Sequence, residues 1–178
     1  MSLTRSQQMS RIRGKHTTPE KLLRSALWAA GMRYRLHART PFGRPDIVFP
    51  RRKLAIFVDG CFWHGCPDHY VRPRSREEFW IGKLRQNIER DRRQTSALEA
   101  AGWRVLRVWE HDVVHSAASI IPIVKAALCS PSWTPPSSQR VVDVRPVEGM
   151  DAEIWSFVDL RQKERLAPQL RQRAPRRT

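Results

Sequence analysis

Apolar positions in the first sixty residues change their period twice, and each change marks an element. After Thr17, residues Leu22, Leu23, Ala26, Leu27 and Ala30 share one face at helical spacing, which predicts an amphipathic helix. Thr17 and Glu20 form a capping-box pattern, Pro19 suits the first turn, and Gly31 supplies a stop. Met32 to Leu36 then alternates like a half-buried strand. Asp46–Phe49 and Leu54–Val58 are apolar on consecutive residues, as in strands covered on both faces. Pro50–Lys53 between them is short enough for an antiparallel hairpin.

Residues 59–74 have no period and are dense in Cys, His and aromatic residues. A long helix is expected from about Glu77 to Ala101, ended by Gly102, then a strand over Trp103–Trp109. Ser116 is expected to cap a helix containing Ile120, Val124 and Leu128. A Pro/Ser-rich stretch from Ser130 to Ser138 breaks the pattern, and Ile154, Trp155, Val158 and Leu166 hint at one more helix. The predicted order is α-β-β-β-α-β-α, an α/β fold with a mixed central sheet flanked by helices. The expected organisation is a basic arm over residues 1–16, a core over 17–129, and a linker with an Arg-rich extension over 130–178.

Composition narrows the function. The chain has 178 residues, 40% hydrophobic, with seven Trp, which suits one folded domain. No apolar run nears the roughly 20 residues that span a bilayer, and Met1 to Met9 lacks a signal-peptide core. Membrane and secreted roles are therefore not expected. Lys plus Arg number 33 against 17 Asp plus Glu, a net +16. Nine basic and six acidic residues from Arg140 onward leave +13 on residues 1–139. So large a self-repulsion points to a polyanion partner, nucleic acid first, bound through phosphate neutralisation. Cys61, Cys66 and Cys129 are too few for a disulfide framework and are free to bind metal.

Three constellations could carry chemistry. Gly43-Arg44-Pro45-Asp46 sets a carboxylate at the mouth of a strand, either as a turn cap or as a magnesium ligand. Cys61, Cys66, His69 and His111 could complete a tetrahedral zinc site, with Asp68 as a substitute for His69 and Glu110 or His115 for His111. His64, inside that loop, is either a further ligand or a general base, since imidazole titrates near neutrality. Phe62, Trp63 and Trp80 serve either as core or as wedges between base pairs.

Taken together, Gly43-Arg44-Pro45-Asp46, Gly60-Cys61-Phe62-Trp63-His64-Gly65-Cys66-Pro67, Glu78-Phe79-Trp80 with Asn87 and Glu89-Arg90-Asp91-Arg92-Arg93, and Gly102-Trp103-Arg104-Val105-Leu106 with Val108-Trp109-Glu110 resemble the very short patch repair (Vsr) mismatch endonucleases. Thr4-Arg5-Ser6, Met9 and Thr18 with Glu20-Lys21 follow the same family's N-terminus, and the likeness runs to about Leu128. The resemblance implies a core similar to type II restriction endonucleases, a structural zinc, and Mg²⁺-dependent nicking of double-stranded DNA 5′ to the thymine of a T·G mismatch left by 5-methylcytosine deamination. It implies that Asp46 and the main-chain carbonyl of Val58 hold magnesium, that His64 is the general base, and that Glu20 orients the water. Phe62, Trp63 and Trp80 would enter beside the mismatch from the major groove and Met9 from the minor groove, with Cys61, Cys66, His69 and His111 on zinc. Some relatives differ in the Cys/His mixture and carry His where Asp59 stands; Asp59 would join the magnesium site or face solvent. A bacterial cytoplasmic monomer is expected, linked to a cytosine-5 DNA methyltransferase and to other mismatch-repair proteins. Two rival readings are a zinc-stabilised DNA-binding module without catalysis and a restriction-type nuclease acting on an unmodified or structured site.

Overall fold

The computed structural model describes residues 14–134 apart from Pro41, Arg72, Arg74 and Pro131. Met9 and most of the arm, the end of the Pro/Ser-rich stretch, and the segment around Ile154–Leu166 lie outside the described residues. Helix α1 (Thr18–Ala29) starts at the expected capping box: the Thr17 hydroxyl accepts from Glu20 N, and the Glu20 carboxylate accepts from Thr17 N. It ends in a Schellman motif. Gly31, at φ +79°, donates to Trp28 O while Met32 N donates to Leu27 O, both at 3.0 Å.

That motif explains the first departure from expectation. Met32 is consumed by the helix stop, so strand β1 is only Arg35–Leu36. Strand β2 (Ile47–Phe49), a single 3₁₀ turn over Pro50–Arg52, and strand β3 (Leu54–Asp59) form the expected hairpin. Helix α2 (Glu77–Ala100) ends in a second Schellman motif, in which Trp103 N donates to Leu98 O at 2.9 Å, and strand β4 (Arg104–Trp109) follows.

Helix α3 (Glu110–Cys129) begins directly at the end of β4, six residues before the expected cap. Ser116, with φ −159° and ψ 92°, is a kink inside it. The Ser116 hydroxyl accepts from Ser119 N at 3.3 Å, so it does cap the second half as its type suggests. The preceding turn has only Val113 buried, too little apolar pattern to announce a helix. By length and composition α3 is also apolar enough to cross a membrane, a test that a core helix passes as well. Its Val113, Ile120, Val124 and Ala127 instead pack into the core.

The sheet order is β1-β2-β3-β4, antiparallel except for the parallel pair β3 and β4. Alternate residues divide between its two faces. Ile47, Phe49, Leu54, Ile56, Leu106 and Val108 join Leu23 and Leu27 of α1 and the inner face of α3. Ala55, Phe57 and Val105 face the other way and meet Leu98 of α2. The mixed sheet lies between helices, as the apolar runs implied. Because β3 and β4 are parallel and in register through Asp59 and Trp109, the residues that follow each strand emerge side by side.

Candidate active site

An open cleft of about 560 Å³ lies at this end of the sheet, lined among others by Glu20, Asp46, Val58, Trp63 and His64. Asp46 immediately precedes β2 and is tied to β3 twice: its N–H donates to Ile56 O at 3.0 Å, and its Oδ2 accepts from Val58 N at 2.8 Å. Gly43, three residues earlier, has φ +136°, a conformation that favours glycine, and lies against the Gln94 amide of α2. Burial pushes the Asp46 carboxyl up to about 6, with Glu20 and Asp59 adding to the rise against the Val58 hydrogen bond and the Arg24 charge. A carboxylate so costly to ionise in an open cleft suits a hard cation, which takes oxygen donors and needs few carboxylates.

Glu20 comes to the cleft from the first turn of α1, and its carboxylate is thoroughly engaged. Thr17 and His16 main-chain N–H groups, the Thr17 hydroxyl and Arg24 all donate to it. Arg24 also donates to His16 Nδ1 at 2.8 Å and His37 Nε2 at 3.1 Å. His37 stands between the two acids, its ring nitrogens 3.9 Å from Glu20 Oε2 and from Asp46 Oδ1. Burial, then the Arg24 charge, hold His37 below its ordinary value.

His64 sits on the loop after β3. Its Nδ1 is held by Asp91 Oδ2, which leaves Nε2 as the nitrogen able to accept a proton. Asp91 projects from α2, one turn beyond Asn87, whose side-chain amide donates to Trp63 O at 2.9 Å. Burial alone would raise Asp91, but the His64 hydrogen bond and the charges of Arg107, His64 and Arg90 hold its carboxyl below the usual range. Asp59 does not face solvent. It is 5% exposed and takes a two-pronged contact from Arg107, Nε to Oδ2 and Nη2 to Oδ1, both 2.6 Å.

The same parallel strand ends bring Cys61 and His111 together. The ligand atoms of Cys61, Cys66, His69 and His111 all lie within 4.8 Å of one another. Cys61 Sγ is 3.2 Å from His111 Nδ1, and Cys66 Sγ is 3.6 Å from His111 Nδ1 and 3.7 Å from His69 Nδ1. Ordinary Zn–S and Zn–N bonds at tetrahedral angles set a sulfur–nitrogen edge of about 3.5 Å, so the donor set fits zinc. Cys66 is lowered to about 5 by a hydrogen bond from Cys61, while that same bond and burial raise Cys61. A metal would be bound by both groups as thiolates, displacing their protons. Of the alternatives, Glu110 instead accepts from Cys61 N at 2.7 Å, and Asp68 Oδ2 is 4.0 Å from His111 Nε2.

Phe62, Trp63 and Trp80 form one cluster, with ring centroids 5.2 to 5.9 Å apart, and Phe79 extends it with its ring 60% exposed. Trp63 also lines the cleft, together with Arg44, Lys83 and Arg90. Aromatic rings and cations thus border the acids and the imidazole.

The family model for the DNA mismatch endonuclease Vsr matches residues 2–69. The type II nicking enzyme V.NaeI of Lentzea aerocolonigenes is 49% identical over 122 residues, covering 66% of this chain and 74% of that protein. This chain belongs to the DNA mismatch endonuclease Vsr family. The type II nicking enzyme V.XorIIP of Xanthomonas oryzae pv. oryzae is 48% identical, covering 59% of this chain and 78% of its own. The DNA mismatch endonuclease Vsr of Escherichia coli (strain K12) is 44% identical over 60% of this chain and 69% of its own. As a Vsr-family member the chain is an endonuclease, a phosphodiester hydrolase acting on DNA.

Within this Vsr chain, three groups anticipated from sequence are gathered: Asp46, His64 and Glu20 around the cleft, the four Cys/His donors behind it, and three aromatic rings beside it. Sequence reasoning missed Arg24, His37 and Arg107 as supporting groups, and quoted Asp91 in a motif without giving it a role. The available signals were polar residues on buried stripes: Asn87 and Asp91 among Leu84 and Leu98, and Arg107 between the buried Leu106 and Val108.

Proposed function

We infer that this endonuclease nicks double-stranded DNA on the 5′ side of the thymine in a T·G mismatch, in a Mg²⁺-dependent reaction that starts very short patch repair. The observation that carries the reading is the convergence of Asp46, His64 and Glu20 on one open cleft bordered by Arg44, Lys83 and Arg90. Asp46 and the main-chain carbonyl of Val58 would hold magnesium, whose charge offsets that building on the phosphate. His64 accepts the proton of the attacking water at Nε2 while Nδ1–H stays on Asp91, so the ring is fixed in tautomer and direction. Glu20, braced by Arg24 and the capping box at the edge of the cleft, would orient the water. Arg44, Lys83 and Arg90 attract the DNA backbone.

Cys61, Cys66, His69 and His111 would hold a structural zinc, tying the His64 loop to the start of α3. Phe62, Trp63 and Trp80 stack against the unpaired bases, favouring a wobble pair because it costs less to open. Met9 on the basic arm would enter from the minor groove. The core is of restriction-endonuclease type, and the enzyme works as a monomer in the bacterial cytoplasm, on lesions left by a companion cytosine-5 methyltransferase and alongside other mismatch-repair proteins.

The test is nicking of end-labelled duplexes with Mg²⁺, comparing T·G with matched pairs in varied contexts. A single nick 5′ to the mismatched thymine is expected. Equal cutting of matched and mismatched duplexes would assign a restriction-type nuclease instead, and tight binding without cleavage in any divalent metal would assign a binding module.

A further inference from the structure

Arg107 is 5% exposed in the middle of β4, between Leu106 and Val108, on the face turned toward α2. Burying a guanidinium there is hard to justify by stability, since a buried ion pair is commonly no better than apolar residues of equal volume. Its hydrogen bonding is also incomplete: among the described residues Nη1 has no partner. What the side chain does accomplish is geometric. Nε and Nη2 grip both oxygens of Asp59, and the same Nη2 lies 3.3 Å from Asp91 Oδ2. That oxygen is the one that holds His64 Nδ1.

Without the guanidinium, two buried carboxylates would face each other across one imidazole. The ligand atoms of Asp59, His64 and Asp91 already lie within 4.8 Å of one another, and Asp59 Oδ1 is 3.7 Å from His64 Nδ1. Either acid could then take the Nδ1 proton, and each choice would turn the ring differently. Arg107 removes the ambiguity by occupying both Asp59 oxygens and bracing Asp91. We propose that Arg107 is a positioning residue that selects Asp91 over Asp59 as the partner of His64 and thereby aims Nε2 into the cleft. This rests on the reading of His64 as general base given above.

Two variants separate positioning from mere support. Arg107→Lys keeps the charge but cannot span both acids, because an ammonium lacks the planar fork. Arg107→Gln removes the charge and the fork while leaving Asp59 and Asp91 both able to compete for His64 Nδ1, and stays informative if the lysine variant fails to fold. Each is assayed with Mg²⁺ on a T·G duplex, with thermal midpoint and bound zinc as controls and ¹⁵N-resolved histidine NMR reporting the number and environment of His64 ring populations. The expected result is a fall in kcat of about 10- to 100-fold with KM unchanged and a second His64 ring population. Wild-type kcat in a folded variant, or a single unchanged set of His64 ring signals, overturns the inference. If the wild-type protein itself does not nick this duplex, it is the proposed function that fails, and the NMR comparison still decides the role of Arg107.

Discussion

Removing the charge of Asp46 should stabilise the fold while abolishing the reaction. The carboxyl is raised from its ordinary 3.8 to about 6, so ionising it in the magnesium-free protein works against folding. At about 1.4 kcal/mol per unit this amounts to roughly 3 kcal/mol, and the open cleft brings it nearer 1–3 kcal/mol. Because the folded-state value is the higher one, stability associated with the protonated form is complete below the unfolded value and is lost as pH rises through about 6. Asp46→Asn preserves the acceptor for Val58 N without the charge. At pH 7.5 without Mg²⁺ it should raise the unfolding free energy by about 1–3 kcal/mol, or the Tm by roughly 2–10 °C. The advantage should shrink to about half by pH 5 and nearly vanish by pH 4. Urea unfolding of both proteins across pH 4–7.5 measures it, with nicking assayed in parallel. A variant no more stable than wild type at pH 7.5, or one that still nicks, would refute the reasoning.

Three further outcomes follow from the same geometry. Cys61→Ser should lose the one tightly bound zinc expected per chain, read by elemental analysis, and with it the fixed position of His64; native protein free of zinc would contradict the donor assignment. Asp91→Asn should lower kcat about 10²- to 10³-fold with little change in DNA affinity, because the amide no longer enforces the Nδ1–H tautomer; a change below threefold would speak against His64 as base. If about eight phosphates are neutralised, log binding against log salt should have a slope of about −7, and a flat line would assign the basic surface elsewhere.

The fold was largely legible because each element carries its own boundary chemistry. Thr17 with Glu20 opens α1, Gly31 and Gly102 close α1 and α2, and Pro50 with Lys53 turns the hairpin. The two errors came from positions serving two purposes. Met32 has the apolar character of a strand residue, yet its N–H completes the Schellman motif of α1. Ser116 is a true cap, but of a second half-helix, and its signal hid the turn that presents His111. Local propensity can locate a cap without revealing that a helix already precedes it.

The gathering of the candidate site residues was legible in the sequence and their supports were not, for a physical reason. Most residues proposed to meet substrate or metal lie in irregular stretches or in the first turn of a helix, where Cys, His and aromatic residues stand out from their surroundings. Asp91 and Arg107 lie on regular elements in segments whose charge has an ordinary explanation: α2 is acidic and basic along its length, and β4 carries Arg104 as well. What brings them together is register. Pairing of Phe57 with Arg107 and of Asp59 with Trp109 puts Asp59 and Arg107 on the same face, against the α2 stripe that bears Asp91. Once β3 and β4 are known to be parallel and aligned, the encounter of these three charges beneath His64 is forced by strand alternation. A shift of one residue in that register would turn Arg107 toward α1 and leave Asp59 and Asp91 unopposed, so the sheet pairing and the aim of the imidazole are a single requirement on the sequence.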